Sequence, residues 1–113
     1  MYPSGLWNGY WEQQLWGRQP MNDFRLRFAG GVVEGEGHDV VGPFVVRGRY
    51  DGRGAVVFTK QYVGRHAVRY EGAHDGEGTI HGRWSIGESW SGPFALRPVA
   101  PRADPDAPIY VIG

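Results

Sequence analysis

The chain has 113 residues, with 12 basic side chains balanced by 12 acidic ones and a formal net charge of 0. That is room for one domain, without the basic excess that grips a polyanion, which argues against nucleic acid as a partner. It contains no cysteine, which excludes disulfide staples, thiolate metal sites, thiol nucleophiles and iron–sulfur clusters. No apolar run approaches the ~20 residues of a membrane span, and no basic-then-apolar leader opens the chain. A soluble, cytoplasmic protein with no membrane partner is therefore expected. The unusual numbers are 19 Gly, 5 Trp, 6 Tyr and 5 Phe, many sharp turns joined to many bulky rings.

No window carries apolar residues at helical spacing, whereas period-2 alternation recurs in short runs separated by Gly-containing turns. Eight strands are predicted, over 5–13, 21–28, 32–39, 43–50, 55–63, 66–72, 79–86 and 92–97. In the second, Phe24, Leu26 and Phe28 share one face, and Arg25 and Arg27 the other. In the fourth, Phe44, Val46, Gly48 and Tyr50 oppose Val45, Arg47 and Arg49. In the seventh, Ile80, Gly82, Trp84 and Ile86 oppose His81, Arg83 and Ser85. The connections are too short for crossovers, so consecutive strands should pair as antiparallel hairpins. Turns near Gly30-Gly31 and Val40-Val41 would align Arg25, Glu36 and Arg47 in one outer row and Arg27, Glu34 and Arg49 in the next, alternating in sign.

A meander of eight strands with one apolar face is most economically closed, since closure removes exposed edges; the fold class expected is an all-β, eight-stranded antiparallel up-and-down barrel. The Gly5-Leu6-Trp7 triplet at the start of the first strand resembles the calycin superfamily of lipocalins, fatty-acid-binding proteins and avidin-like barrels. In those families the Trp plugs one barrel end and an Arg of the last strand packs on it, a part that the resemblance assigns to Arg97. The short strands lie nearest the avidin-like end of the group, although the polar ligands of a biotin site are not matched. Residues 1–98 are read as the barrel domain. Residues 99–113, with Pro101, Pro105 and Pro108 before Ile109-Tyr110-Val111-Ile112, are read as an extended Pro-rich tail whose apolar tip docks on the barrel or a sister subunit.

In such a barrel the odd connections gather at one end and the even ones at the other. The end holding Trp7 receives tight Gly-rich turns; the other receives the loops carrying Trp16 and Trp90 and is read as the mouth. Inward parity then brings Gln13, Asp39, Lys60, Tyr62 and His66 to strand ends facing that mouth. A Lys or Asp aimed into an apolar barrel is costly unless paired, solvated or used, so Lys60 and Asp39 pair with each other, reach water or serve a ligand. Inward Gly9, Gly35, Gly37, Gly48 and Gly82 would let Trp11, Trp84 and Tyr50 lie flat. The function expected is small-molecule binding, as a carrier or sensor, with a flat ligand on Trp11, Tyr62 and Trp84 and its polar edge fixed by Gln13, Asp39, Lys60 and His66.

Two alternatives stand beside it. One is a solid barrel acting as a homo-oligomeric module through Val45, Val57, Val63, Trp16, Trp90 and the tail. The other is a small acid–base enzyme, isomerase-, cyclase- or decarboxylase-like, in which His66 beside Asp39 and Lys60 shuttles protons. No nucleophile elbow, phosphate loop or zinc motif is present, and Gly35-Glu36-Gly37 is an incomplete dinucleotide fingerprint. His38-Asp39 and His74-Asp75 fall at opposite ends and cannot share an ion. No metal or cofactor is therefore expected; a haem on His66 is set aside because the barrel is small for it.

Overall fold

A computed structural model describes residues 2–99 and shows all eight strands: β1 (Gly5–Gln13), β2 (Gly17–Ala29), β3 (Val32–His38), β4 (Pro43–Tyr50), β5 (Ala55–Tyr62), β6 (Ala67–His74), β7 (Ile80–Ile86) and β8 (Trp90–Pro98). Each pairs antiparallel with the next, and β8 returns to β1 with Trp7 opposite Pro98 and Trp11 opposite Phe94, which closes the barrel. No helix occurs among the described residues. The proposed tail lies outside them from residue 100 onward.

Alternation drives the core as the periodicity requires. Phe24, Leu26, Val33, Phe44, Val46, Val56, Phe58, Tyr70, Ile80, Phe94 and Leu96 are each at most 3% exposed. Every such side chain contributes about 1.5–3 kcal/mol of hydrophobic stabilisation. The rings pack mostly edge to face, Phe24 on Phe44 at 5.6 Å and Phe44 on Tyr62 at 5.9 Å, while Phe58 stacks flat on Tyr70 at 4.9 Å.

β2 begins four residues earlier than expected and contains Pro20, which pairs with Tyr10. A bulge makes this possible. Opposite Asn8 of β1 stand both Asn22 and Asp23, and Asp23 takes a left-handed conformation with φ of 48°, one that Asp tolerates better than most residues. The extra residue resets the parity, so Met21 and Phe24 both point inward.

The outer charge rows differ from expectation on the β3–β4 side. Arg25 faces Glu36 and Arg27 faces Glu34, but Glu36 then faces Val45, and Arg47 stands opposite Glu34. The turn itself lies where expected: Asp39 N–H donates to Gly42 O at 3.1 Å and His38 stands opposite Pro43, so the chain reverses between Val40 and Val41. Strands folded about that point set Glu36 opposite Val45 and Glu34 opposite Arg47, two residues from the expected alignment of Glu36 with Arg47. The resulting ladder has Arg27 at 3.0 Å from Glu36 and 3.9 Å from Glu34, with Arg47 at 3.6 Å from Glu34. These pairs are exposed and screened by water, so they contribute little to stability.

The Trp7 end is sealed by rings. Tyr2 lies 6.3 Å from Trp7, 5.0 Å from Phe28 and 5.7 Å from Tyr50, and its hydroxyl donates to Gly54 O at 2.7 Å. Arg97 does not pack on Trp7: strand parity turns it outward, and its Nε donates to Thr79 Oγ1 at 3.2 Å. Tyr2 and Phe28 cover the Trp instead.

Three of the inward glycines serve a purpose other than clearing room for rings. A Cβ on Gly35 would overlap the Arg25 carbonyl oxygen, one on Gly48 the Val57 carbonyl oxygen, and one on Gly82 the Glu71 carbonyl oxygen, each on a neighbouring strand. A barrel this narrow coils its strands until adjacent backbones nearly touch. Gly82→Ala is expected to cost about 3 kcal/mol or more. Gly52→Ala, where a Cβ meets nothing and φ is ordinary, should stay within about 1 kcal/mol of the parent. Urea unfolding of the two variants checks the contrast; equal losses would refute the close-approach account.

Candidate functional site

The connections around Leu15, Val40, Gly64 and Glu88 lie at the end opposite Trp7. Between them opens a cavity of about 270 Å³. Val68, Tyr70 and Trp84 line its deeper part, Trp11, Tyr62, Val41 and Ile86 its walls, and Gln13, Leu15, Trp16, His66 and Trp90 its rim. Trp11 and Trp84 meet edge to face at 6.2 Å, and Trp16 covers Trp11 at 6.1 Å.

Trp84 is held by an unusual span. Its Nε1 donates to Glu12 O of β1 at 2.8 Å, passing over β8, where Gly92 stands opposite Trp84. A side chain at Gly92 would strike both the Glu12 carbonyl and the indole.

Beside the cavity sits a buried polar cluster. Asp39 ends the inward series of β3, and Lys60 lies on the inward face of β5; both side chains are fully buried. Lys60 Nζ donates to Asp39 Oδ2 at 2.5 Å. The same oxygen accepts from Tyr62 Oη at 2.7 Å and Trp11 Nε1 at 3.1 Å, and Oδ1 accepts Val41 N–H at 2.9 Å. Lys60 also donates to Tyr70 Oη at 3.2 Å, and its ammonium lies 4.4 Å from the Phe44 ring centre and 4.8 Å from that of Tyr62. It is the only lysine in the chain.

The two charges share this environment unequally. Burial pushes the Asp39 carboxyl up, but the Lys60 charge and the hydrogen bonds from Lys60, Tyr62 and Val41 outweigh it, so Asp39 stays below the ordinary carboxylate range. Burial pushes the Lys60 ammonium down to about 8, against the pull of Asp39. Burial, with the Asp39 charge, raises the Tyr62 and Tyr70 hydroxyls, which remain neutral phenols across the physiological range.

Of the residues expected at the site, Trp11, Gln13, Tyr62, His66 and Trp84 line the cavity, while Asp39 and Lys60 lie outside the lining, joined to it through Trp11, Tyr62 and Tyr70. Gln13 also shapes the rim: its Oε1 accepts the N–H groups of Leu15 and Trp16 at 2.8 and 2.9 Å, which ties the β1–β2 turn. His66 does not join the Asp39–Lys60 pair. Strand pairing of β6 stops at Ala67, so His66 is exposed at the rim with its ring 5.1 Å from that of Tyr62. Tyr70 points inward as the alternation of β6 requires, but its bond to Lys60 depends on the reach of a side chain across the interior, which strand alternation does not encode. Of the two His-Asp pairs, His38 turns to Asp23 at 3.6 Å while Asp39 turns inward, and Asp75 pairs with His81 at 3.2 Å. No protein-family profile matches the chain, and no curated protein matches it in sequence.

Removing one partner of the pair has unequal consequences. Asp39→Ala strands the ammonium and is expected to cost about 3–5 kcal/mol. The double change Asp39→Asn with Lys60→Met should recover part of that loss, because neither charge remains; guanidinium unfolding at pH 7 tests this. A base whose folded value lies below its unfolded value holds fewer protons when folded. The Lys60 contribution to stability therefore rises as pH goes from about 8 toward 10.5. Tyr62 and Tyr70, raised above 10, oppose that gain above pH 10. Between pH 8 and 10 the stability of the parent should climb relative to Lys60→Met; parallel curves would refute the buried, strained ammonium.

Proposed function

We propose that the protein is a calycin-like barrel that binds one small, flat, largely apolar molecule in its mouth, as a carrier or sensor. The observation that carries this reading is the 270 Å³ cavity, walled by Trp11, Tyr62, Tyr70 and Trp84 at one end of a barrel whose other end is closed by rings. Its volume lies just below the ~300–1,000 Å³ of typical ligand pockets, which suits a molecule of one or two rings. Affinity comes from burying that ring system against the indoles and phenols. The Gly5-Leu6-Trp7 triplet and the buried Trp7 support the calycin likeness.

A second reading is favoured by one further feature. Leu15, Trp16, Val40, Val63 and Trp90 are 57–83% exposed and ring the same mouth. An apolar rim of this kind also suits association of copies of the chain, with the cavity enclosed between them.

Naphthalene serves as the probe. Its ten carbons, at the efficiencies of small ligands, place Kd roughly in the micromolar to millimolar range. Saturable quenching of tryptophan emission at one naphthalene per chain is expected. Val68→Phe, which puts a ring into the open space, should weaken binding at least about tenfold and alter stability by about 1 kcal/mol or less. The absence of saturable binding, or full affinity in Val68→Phe, would reject the cavity reading. Sedimentation of the parent and of Trp16→Ser with Trp90→Ser tests the second reading, which a monomeric parent removes.

A further inference from the structure

The walls of the cavity hold several ring donors, and their protons are almost all spent. Trp11 N–H goes to Asp39, Tyr62 O–H to Asp39 and Trp84 N–H to the Glu12 carbonyl. Tyr70 differs. It is 1% exposed, it lines the cavity, and among the described residues its hydroxyl has one hydrogen-bond partner, Lys60, toward which it acts as acceptor. Its own proton has no acceptor there.

The direction of that proton follows from charge. With the ammonium 3.2 Å from the phenol oxygen, the O–H dipole turns its positive end away from Lys60. The ring cannot swing to find another acceptor, because it is held flat on Phe58 at 4.9 Å and against Phe94 at 4.8 Å. Donation from an ammonium also polarises the phenol and strengthens it as a donor. Burial keeps the phenol neutral, so the donor persists over the physiological pH range. An unspent donor in an apolar cavity costs free energy until an acceptor arrives.

The ligand's charge is constrained as well. Lys60 and Asp39 neutralise each other, and both carboxylate oxygens are already occupied. No uncompensated charge faces the cavity from the cluster, so a charged ligand would lose hydration without a counterion.

We infer that Tyr70 is the specificity-determining residue of the cavity, its hydroxyl donating to the carbonyl oxygen of a neutral aromatic or conjugated ketone, aldehyde or lactone. This rests on the reading of the cavity as a ligand site and names the ligand's class. Lys60 acts through Tyr70 as a positioning residue and does not touch the ligand.

The test compares 1-indanone with indane, which has the same bicyclic carbon frame without the oxygen, by titration calorimetry. The parent should bind 1-indanone about three- to tenfold more tightly than indane, the range of one net hydrogen bond. Tyr70→Phe, which keeps the ring and removes the hydroxyl, should erase that preference, so that the variant binds the two molecules equally. Equal affinities in the parent, or a preference that survives in Tyr70→Phe, overturn the inference and leave the cavity reading intact. Failure of both molecules to bind overturns both. Should Tyr70→Phe not fold, the infrared carbonyl stretch of 1-indanone bound to the parent decides: a frequency below that in hexane supports donation, and a hexane-like frequency refutes it.

Discussion

The mouth of this barrel is organised by one carboxylate. Asp39 leaves the end of β3, fixes its own loop through Val41 N–H, and gathers Lys60 and Tyr62 from β5 and Trp11 from β1 onto a single oxygen. Through Lys60 the network reaches Tyr70 on β6. Elements that are not neighbours in the sheet are thereby tied across the interior, where an apolar core would rely on ring packing alone. A buried ion pair of this kind is poor evidence for net stability, since desolvation offsets much of its attraction. Its physical effect is orientation. Alternative rotamers of Trp11, Tyr62 or Lys60 would leave a buried polar atom without any partner, whereas among the described residues every buried side-chain polar atom has at least one, Tyr70 Oη having Lys60 as its single partner.

The two ends of the barrel solve the same problem differently. At the Trp7 end, rings of Tyr2, Trp7, Phe28 and Tyr50 meet at 5.0–6.3 Å and seal the interior. In the middle, Phe24, Phe44, Phe58 and Phe94 fill the cross-section. At the mouth the inward positions carry Asp39, Lys60 and Tyr62, whose polar atoms draw together to one side and leave the rest of the cross-section to Val68, Ile86 and the indoles. Residual space follows from that asymmetry: polar atoms that must converge on one carboxylate cannot also spread to fill a ring of eight strands.

Much of this was legible in the sequence, for identifiable reasons. Period-2 alternation and Gly-containing turns define the strands, and short connections leave only a meander, so closure and the facing of Asp39 and Lys60 follow from parity. What escaped was set by single residues that break the period. Asp23 inserts a bulge that lets β2 continue through Pro20. Tyr2 precedes the first alternating run, and nothing in its neighbours announces that it turns back to bond Gly54. The β3–β4 turn sits at Val40-Val41 as expected, but strands folded about that point align Arg47 with Glu34 and not with Glu36, so the outer charge rows shift by two residues from the expected pairing. His66 keeps its side but not its depth, because strand pairing ends at Ala67. Gly35 and Gly82 are inward as alternation requires, yet the obstacle they avoid is a neighbouring carbonyl, which depends on barrel coiling and not on local sequence.

The division between what the network uses and what it leaves over bears on how such a site changes. Three rings of the cavity wall line the open space while their polar protons are spent elsewhere, and Tyr70 is held by Lys60 at its oxygen but keeps its own proton. Trp84 is anchored to β1 across Gly92, Trp11 and Tyr62 to Asp39, and Tyr70 to Lys60. Substitutions of the Val41, Val68 or Ile86 side chains alter the volume of the cavity without touching those anchors. Substitutions at Asp39 or Lys60 release several rings at once, although neither residue lines the space. The shape of the cavity and the orientation of its walls are thus controlled by separate sets of side chains, so the space can be retuned by apolar exchange while the carboxylate continues to hold the frame.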